Sequence, residues 1–220
     1  MAKKRIGVVL AGCGVYDGAE IHEATLTLYF LDRAGAEWVA MAPNIDQHHV
    51  VDHLTGQVVE ERRNVLAEAA RIARGKIRDL AEVRASELDG LIMPGGFGVA
   101  KNLSSIAFNG AEAEVNPDLA VLLRDMHRLN KPIGAICISP AVVSRVFAQM
   151  GVTVTIGCDP GTISAIEAMG NRHQTSPADG IVLDEEKRVV STPAYMCGAG
   201  IAEVARGIEK LVSRVLELAN

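Results

Sequence analysis

The sequence predicts an α/β fold in which helices cover both faces of a mostly parallel β-sheet. Short apolar runs, each bounded by Gly or Pro, alternate along the chain with longer segments whose apolar residues recur at helical spacing. Such alternation is typical of βαβ crossovers, which bring parallel strands side by side. No composition shift, linker or internal repeat divides the 220 residues, so we predict a single domain over residues 1–220.

The apolar runs are the predicted strands, and the periodic segments between them are the predicted helices. Strands are predicted at Ile6–Leu10, Trp38–Met41, Gly90–Met93, Ile133–Ile136 and Val152–Ile156. Helices are predicted at Glu20–Ala34, Asn64–Arg74, Pro117–Leu129, Pro140–Met150 and Ile201–Leu218. Residues 43–80 interrupt the alternation, and Val50–Val51 and Val58–Val59 around Leu54-Thr55-Gly56 predict a hairpin insertion.

The charge balance and composition exclude several function classes. Hydrophobic residues make up 49% of the chain and charged residues 22%, as in a packed globular core. The 22 Lys and Arg residues against 27 Asp and Glu give a net charge of −5, with no dense basic run. A polyanion would be repelled by this balance, so we expect no nucleic-acid partner.

Membrane and export signals are also not expected. No apolar run approaches the ~18 residues that a membrane helix needs, and the Met1–Leu10 segment lacks the core of a signal peptide. The four cysteines, Cys13, Cys137, Cys158 and Cys197, lie far apart without a CxxC pair. We therefore expect free thiols in a reducing, cytoplasmic setting, without a membrane partner.

The segment around Cys137 carries the strongest indication of chemistry. An apolar strand ends at Cys137, Ser139 is a candidate helix cap, and Pro140 suits the first turn of the next helix. A strand–turn–helix junction exposes its central side chain, as in a nucleophile elbow. The positive end of the helix is expected to lower the pKa of the thiol. The alternative is an inert buried cysteine.

Two further segments end predicted strands at the same edge of the sheet. Pro94-Gly95-Gly96 allows a close backbone approach and free N–H groups that face a developing oxyanion, although such glycines are often only turns. The loop Gly12–Gly18 leads into a helix that carries Glu20 and Glu23 near one another. A partly desolvated carboxyl here could shuttle a proton near neutral pH, but the residues alone favour a solvated first turn, where the helix dipole stabilises acidic side chains.

The histidines His48, His49 and His53 raise the question of a metal site. Their segment is predicted to be a hairpin, in which His49 and His53 do not converge as they would on a helix. No HExxH pattern or comparable carboxylate follows them. We therefore expect no metal and no other cofactor.

The segments together resemble the superfamily of the Parkinson-associated deglycase, the PfpI-type proteases and the class I glutamine amidotransferases. The Gly-Ala-Glu motif of residues 18–20, Pro94-Gly95-Gly96 and Ala135–Pro140 follow the order of that superfamily. Within it, Gly12–Ala24, Arg63–Leu66, Pro94–Leu103 and Thr192–Tyr195 resemble the enhancing-lycopene-biosynthesis (ElbB-type) group. The resemblance implies a flavodoxin-like three-layer sandwich with a mostly parallel sheet, and a homodimer.

Roles for individual residues follow from this resemblance alone. Cys137 matches the nucleophile, and Glu23 matches the glutamate that contacts it. Gly96 and Ile138 match the backbone donors of the oxyanion pocket, beside Gly95. The resemblance implies a glyoxalase of the lyase class that acts on small dicarbonyl substrates without glutathione. Such an enzyme converts glyoxal to glycolate, and its reaction with methylglyoxal would give lactate.

Departures from the relatives narrow the expected chemistry. PfpI-type proteases have His directly after the cysteine, where this chain has Ile138. The late His-x-Glu pair of glutamine amidotransferases is missing, and no His lies within Thr155–Asp159, where the deglycase has an auxiliary one. A catalytic triad is therefore not expected, which argues against peptide or amide hydrolysis. A cysteine redox sensor or a scaffold on the same fold is the alternative function.

Overall fold

The computed structural model describes residues 3–219, and seven of its strands form one sheet. The structure does not describe Met1, Ala2 and Asn220. These residues include both limits of the predicted domain and the first two positions of the Met1–Leu10 segment. In sheet order the strands are β10 (Val182–Asp184), β11 (Val189–Thr192), β7 (Ile133–Ile136), β6 (Gly90–Met93), β1 (Arg5–Val9), β2 (Glu37–Ala42) and β5 (Ile77–Asp79). Every neighbouring pair is parallel except β10 with β11, which is antiparallel.

Within residues 3–219, eight α-helices connect and cover these strands. They are α1 (Ile21–Arg33), α2 (Val65–Ile72), α3 (Phe97–Lys101), α4 (Ile106–Asn109), α5 (Pro117–Arg128), α6 (Ser139–Val146), α7 (Pro160–Ala168) and α8 (Ile201–Leu218). Apolar residues of α1, α2 and α8 pack on one face of the sheet, and those of α3, α5, α6 and α7 pack on the other. The predicted three-layer α/β sandwich with a mostly parallel sheet is confirmed.

The two faces follow from the alternation of side chains along each strand. In β1, Ile6 and Val8 contribute to the core beneath α1 and α8, whereas Val9 contributes to the core beneath α5 and α6. In β6 the same alternation separates Ile92 from Leu91 and Met93. Strands that are buried on both faces read as continuous apolar runs, which is why their positions could be predicted.

Short strands account for most of the differences from the sequence prediction. The strands β5, β10 and β11 were not predicted, because each is short and contains polar residues, so no continuous apolar run marks it. The predicted strand Val152–Ile156 is reduced to β8 (Thr153–Val154), which pairs with β9 (Arg172–His173) outside the main sheet. The helix predicted at Pro140–Met150 ends at Val146.

The hairpin predicted within residues 43–80 is present, with slightly shifted strands. It consists of β3 (Val51–Asp52) and β4 (Gln57–Val58), which pair antiparallel with each other and not with the seven-stranded sheet. Asp17 holds the hairpin against the loop after β1, because its buried Oδ2 accepts a 2.8 Å hydrogen bond from the N–H of Val51. Within residues 3–219, no helix has the length and apolar character needed to cross a membrane.

Candidate active site

Cys137 occupies the sharp turn between β7 and α6. Its φ of 62° lies in the left-handed region, which is uncommon for a residue with a side chain and costs on the order of 1–3 kcal/mol. The N–H of Cys137 still donates a 2.9 Å hydrogen bond to the carbonyl of Thr192 at the end of β11. This is the strand–turn–helix junction that the sequence predicted at Cys137.

Ser139 acts differently from its predicted role as a helix cap. Its hydroxyl makes no capping bond and instead donates a 2.8 Å hydrogen bond to the carbonyl of Pro94. Pro94 directly follows β6, so this bond ties the start of α6 to the neighbouring strand end. The prediction was wrong because a helix sequence alone does not show which carbonyl lies next to it.

Gly95 lies between the strand end and the first turn of α1. Its N–H donates a 2.8 Å hydrogen bond to Glu23 Oε2, and its carbonyl accepts a 2.9 Å bond from the N–H of Glu20. A Cβ at Gly95 would lie 2.5 Å from Cys137 Cβ, 3.0 Å from its Sγ and 2.9 Å from Glu23 Oε2. The missing side chain of Gly95 is therefore what lets the thiol and the carboxyl lie together.

Position 96 accepts only glycine, because of both its backbone conformation and the lack of space for a side chain. Its φ is 99°, and a Cβ there would lie 2.4 Å from the nitrogen of Glu20 and 2.4 Å from the oxygen of Gly18. The backbone can thus pass directly against the loop before α1, which no other residue would allow.

The two glutamates at the start of α1 have separate roles in the structure. Glu20 is the N-cap, and its Oε2 accepts a 2.7 Å hydrogen bond from the N–H of Glu23. Glu23 is fully buried, and its Oε1 has no hydrogen-bond partner of good geometry in the described chain. The alternative of a solvated first turn is wrong for both residues, because Glu20 is buried as well.

Burial determines the protonation of the Glu23 carboxyl. Desolvation raises its pKa to about 8, and the charge of Glu20 adds to this increase. The hydrogen bond from the Gly95 N–H lowers the pKa, and the neighbouring Cys137 thiol and Tyr195 N–H lower it as well, which offsets part of the increase. A carboxyl with such a pKa can hold or release a proton near neutral pH, as was predicted for a desolvated acid at this edge.

The pKa of Cys137 shifts in the direction opposite to the one predicted. Desolvation raises the pKa of the thiol well above its usual value, and the nearby charge of Glu23 raises it further. The nearby backbone N–H groups of Gly96 and Ile138 lower the pKa, as expected for a helix N-terminus, but they do not outweigh burial. The thiol is therefore neutral unless a base nearby takes its proton.

Histidines do not take part in this arrangement. Among residues 3–219, no histidine is a hydrogen-bond partner of the Cys137 thiol. The Nε2 of His53 accepts a 3.2 Å bond from the N–H of Tyr16, and its Nδ1 lies 3.0 Å from the carbonyl of Val51. The His48 ring lies tilted against Phe108, and the His49 ring meets Phe108 edge-on. The described residues contain no group of three or more His, Cys, Asp or Glu side chains placed to hold a metal ion.

The structure adds Tyr195, which the sequence analysis did not place at the site. The nearby N–H of Tyr195 lowers the pKa of the Glu23 carboxyl, and the Tyr195 hydroxyl lies 2.7 Å from His22 Nδ1. Tyr195 follows β11, a parallel strand whose carboxyl end lies beside that of β7. Recognising Val189–Thr192 as a strand would have placed Tyr195 here, because ligand sites lie beyond the carboxyl ends of parallel strands.

Comparison with known proteins identifies similar chains. Residues 9–191 match the model of the DJ-1/PfpI family. The human protein named glutamine amidotransferase-like class 1 domain-containing protein 3, mitochondrial, is 46% identical over 224 residues, which cover 97% of this chain and 83% of the human one. The rat ES1 protein homolog, also named mitochondrial, is 44% identical over 98% of this chain and 84% of its own.

Solved structures show the same architecture. A crystal structure described as an isoprenoid biosynthesis protein with an amidotransferase-like domain, from Ehrlichia chaffeensis, superposes with a TM-score of 0.92 at 40% identity, covering 99% of this chain and 100% of that one. DJ-1beta of Drosophila melanogaster superposes with a TM-score of 0.59 at 19% identity over 99% and 96% of the two chains, which is a likeness of fold alone.

Proposed function

Because the chain belongs to the DJ-1/PfpI family, we propose that it is a cofactor-independent glyoxalase, with Cys137 as nucleophile and Glu23 as proton carrier. The reaction adds water to glyoxal and gives glycolate, and the same steps convert methylglyoxal to lactate. The observation that carries this proposal is the buried pair of Cys137 and Glu23, beside the N–H groups of Gly96 and Ile138.

The first step requires a thiolate at Cys137. Burial and the adjacent carboxylate both disfavour a free thiolate, so the ionised Glu23 must accept the thiol proton as the sulfur bonds to the aldehyde carbon. The carbonyl oxygen becomes an oxyanion, which the N–H groups of Gly96 and Ile138 stabilise in this proposal. Proton return to that oxygen gives a hemithioacetal.

The second step moves hydrogen between the two carbons. Ionised Glu23 removes the proton from the carbon bonded to sulfur, which gives an enediol, and then delivers a proton to the adjacent carbon. The product is a thioester of the hydroxy acid, and water cleaves its carbon–sulfur bond to restore the thiol. One carbon is oxidised and its neighbour is reduced, so the reaction needs no external oxidant or reductant.

The alternative of a redox sensor at Cys137 has less support. A sulfenic acid switch needs an accessible thiol with a lowered pKa, whereas Cys137 is 8% exposed and its pKa is raised by burial. A dicarbonyl, by contrast, is electrophilic enough to react with a thiol that ionises only when a neighbouring carboxylate takes its proton.

We also propose a cytoplasmic homodimer. The cytoplasmic location rests on the four free cysteines, which fit a reducing compartment. Two relatives carry the word mitochondrial in their names, and cell fractionation would distinguish the two locations. Light scattering on the purified chain tests the dimer.

The central experiment measures glyoxal turnover by purified protein beside the variants Cys137→Ser and Cys13→Ser. A serine hydroxyl is far less acidic than a thiol, so Cys137→Ser should reduce turnover to background with an unchanged circular dichroism spectrum. Cys13 lies in the loop after β1, and its replacement should leave turnover near that of the unaltered protein. Loss of turnover in Cys13→Ser with full activity in Cys137→Ser would overturn the assignment.

A further inference from the structure

A cavity of about 350 Å³ opens over Cys137 and is larger than glyoxal requires. An apolar cavity of ~150 Å³ is enough to hold benzene, so the space here exceeds what a molecule of four heavy atoms would fill. The excess volume indicates that a group beyond the two reacting carbons lies in the cavity.

The walls of the cavity are mainly apolar. The loops after β1, β6, β7 and β11 each contribute to them. The apolar lining side chains are Val15, Phe97, Ile138, Tyr195 and Met196. Side chains of this kind bind hydrocarbon by removing it from water, and each buried methylene strengthens binding about fourfold.

The charged groups at the cavity disfavour an anionic ligand. Asp159 and Thr162 are its polar lining side chains, and Asp159 Oδ1 accepts hydrogen bonds of 2.7 and 2.8 Å from the hydroxyl and N–H of Thr162. These bonds lower the pKa of Asp159 and keep it ionised. Lys101 lies over the Phe97 ring at 5.0 Å, but no Lys, Arg or His is among the described residues that line the cavity. A carboxylate or phosphate would thus meet a negative group without a cation to balance it.

We propose that the substrate is an α-oxoaldehyde with an uncharged apolar substituent of about phenyl size, which packs between Val15, Phe97 and Met196 while its aldehyde reaches Cys137. This inference rests on the proposed glyoxalase function and specifies its substrate class. The chemistry balances as for glyoxal: phenylglyoxal and one water give mandelate and a proton, with the terminal carbon oxidised and the ketone carbon reduced.

Steady-state kinetics with glyoxal and phenylglyoxal test the preference. Each kcat/KM is divided by the rate at which the same aldehyde reacts with a free thiol, which removes differences in intrinsic reactivity. The corrected value for phenylglyoxal should exceed that for glyoxal by at least about tenfold, as expected for burying several carbon atoms. A smaller preference would overturn the proposal.

Variants of the wall show whether the cavity causes the preference. Met196→Gln and Val15→Thr retain the approximate shape of each side chain but make it polar, so each should reduce the corrected ratio severalfold. Val121→Thr makes the same change at an exposed site on α5 that does not line this cavity, and it should leave the ratio unchanged. Equal corrected ratios in the unaltered protein and all three variants would contradict a role of this cavity in substrate choice.

A second measurement does not depend on turnover. Alkylation of Cys137 by N-benzyl iodoacetamide, iodoacetamide and iodoacetate is followed by peptide mass spectrometry, with rates again divided by those of a free thiol. The benzyl reagent should react fastest and the anionic iodoacetate slowest. If this order holds without turnover of any aldehyde, the apolar preference of the cavity stands and the glyoxalase function fails. If glyoxal is turned over but the order is absent, the substrate class fails and the glyoxalase function stands.

Discussion

The carboxyl of Glu23 and the thiol of Cys137 lie together in a buried position that the missing side chain of Gly95 leaves open. Both groups lose solvation there, which raises the pKa of each, and the thiol hydrogen bond to the carboxyl is favoured when Glu23 is ionised. The two groups are therefore best treated as one unit that shares a proton, whose titration belongs to the pair rather than to either residue. The predictions below depend on this unit.

Replacing Glu23 by Gln should reduce glyoxal turnover by about 10²–10⁴-fold, the usual contribution of a proton-transfer group. The amide can still accept the hydrogen bond from Gly95, but it cannot take a proton from the thiol. Glu20→Gln is the matched control, because a glutamine oxygen can still cap α1 at the N–H of Glu23. Turnover by Glu23→Gln equal to that of the unaltered protein would remove Glu23 from the mechanism.

The rate of turnover should rise with pH through about 8. Below that pH the carboxyl of Glu23 is protonated and cannot accept the thiol proton, whereas above it the carboxylate is ionised and can accept that proton. The measurement is kcat/KM for glyoxal between pH 6 and 9, corrected for the reaction of glyoxal with buffer. A profile that is flat over this range would show that the ionisation of Glu23 does not limit the reaction.

The stability of the fold should depend on the same ionisation. The pKa of the Glu23 carboxyl is 4.5 in its ordinary state and about 8 in the fold. The favourable contribution of this carboxyl to the free energy of unfolding is therefore complete below pH 4.5 and is lost as the pH rises through 8. Glu23→Gln lacks this loss, so its stability relative to the unaltered protein should rise by roughly 5 kcal/mol between pH 4.5 and pH 8.5, since each pKa unit is worth about 1.4 kcal/mol.

Urea unfolding at pH 5 and pH 8.5 tests this expectation. The difference in the free energy of unfolding between Glu23→Gln and the unaltered protein should grow in favour of the variant as the pH rises. The Glu20→Gln control should show a smaller pH dependence. A difference that is constant with pH would mean that the pKa of Glu23 is not raised in the fold.

Adding one methyl group at Gly95 should separate the pair. The new Cβ of Gly95→Ala would lie within 3.0 Å of both Cys137 Sγ and Glu23 Oε2, so at least one of the two side chains must move. Since small displacements of reacting groups can cost about 100-fold in rate, we expect a loss of at least that size. Gly200→Ala is the control, because a Cβ there meets no atom within 4 Å. Thermal unfolding of both variants shows whether the fold is retained, and a folded Gly95→Ala with full activity would contradict the geometry.

Local sequence patterns were enough to predict the fold class and the turn in which Cys137 lies. The helices at Pro117–Arg128 and Ile201–Leu218 and the strands at Gly90–Met93 and Ile133–Ile136 were found within one residue, since long periodic helices and fully apolar strands carry strong local signals. Cys137 could be placed at an elbow because a strand followed by Pro140 leaves few other conformations between them.

What the sequence determined is this set of local conformations, while the tertiary structure decided the chemistry of the site. The pKa of Cys137 depends on how much solvent α1, the Gly95 turn and the loop after β11 jointly exclude, and these segments are far apart in the chain. The sequence shows only the helix N-terminus, which by itself would lower the pKa of the thiol, so the predicted shift had the opposite sign. Tyr195 and Met196 reach the cavity only because β11 pairs beside β7. The burial of a side chain depends on many residues that are distant in the chain, so a local sequence pattern cannot predict it.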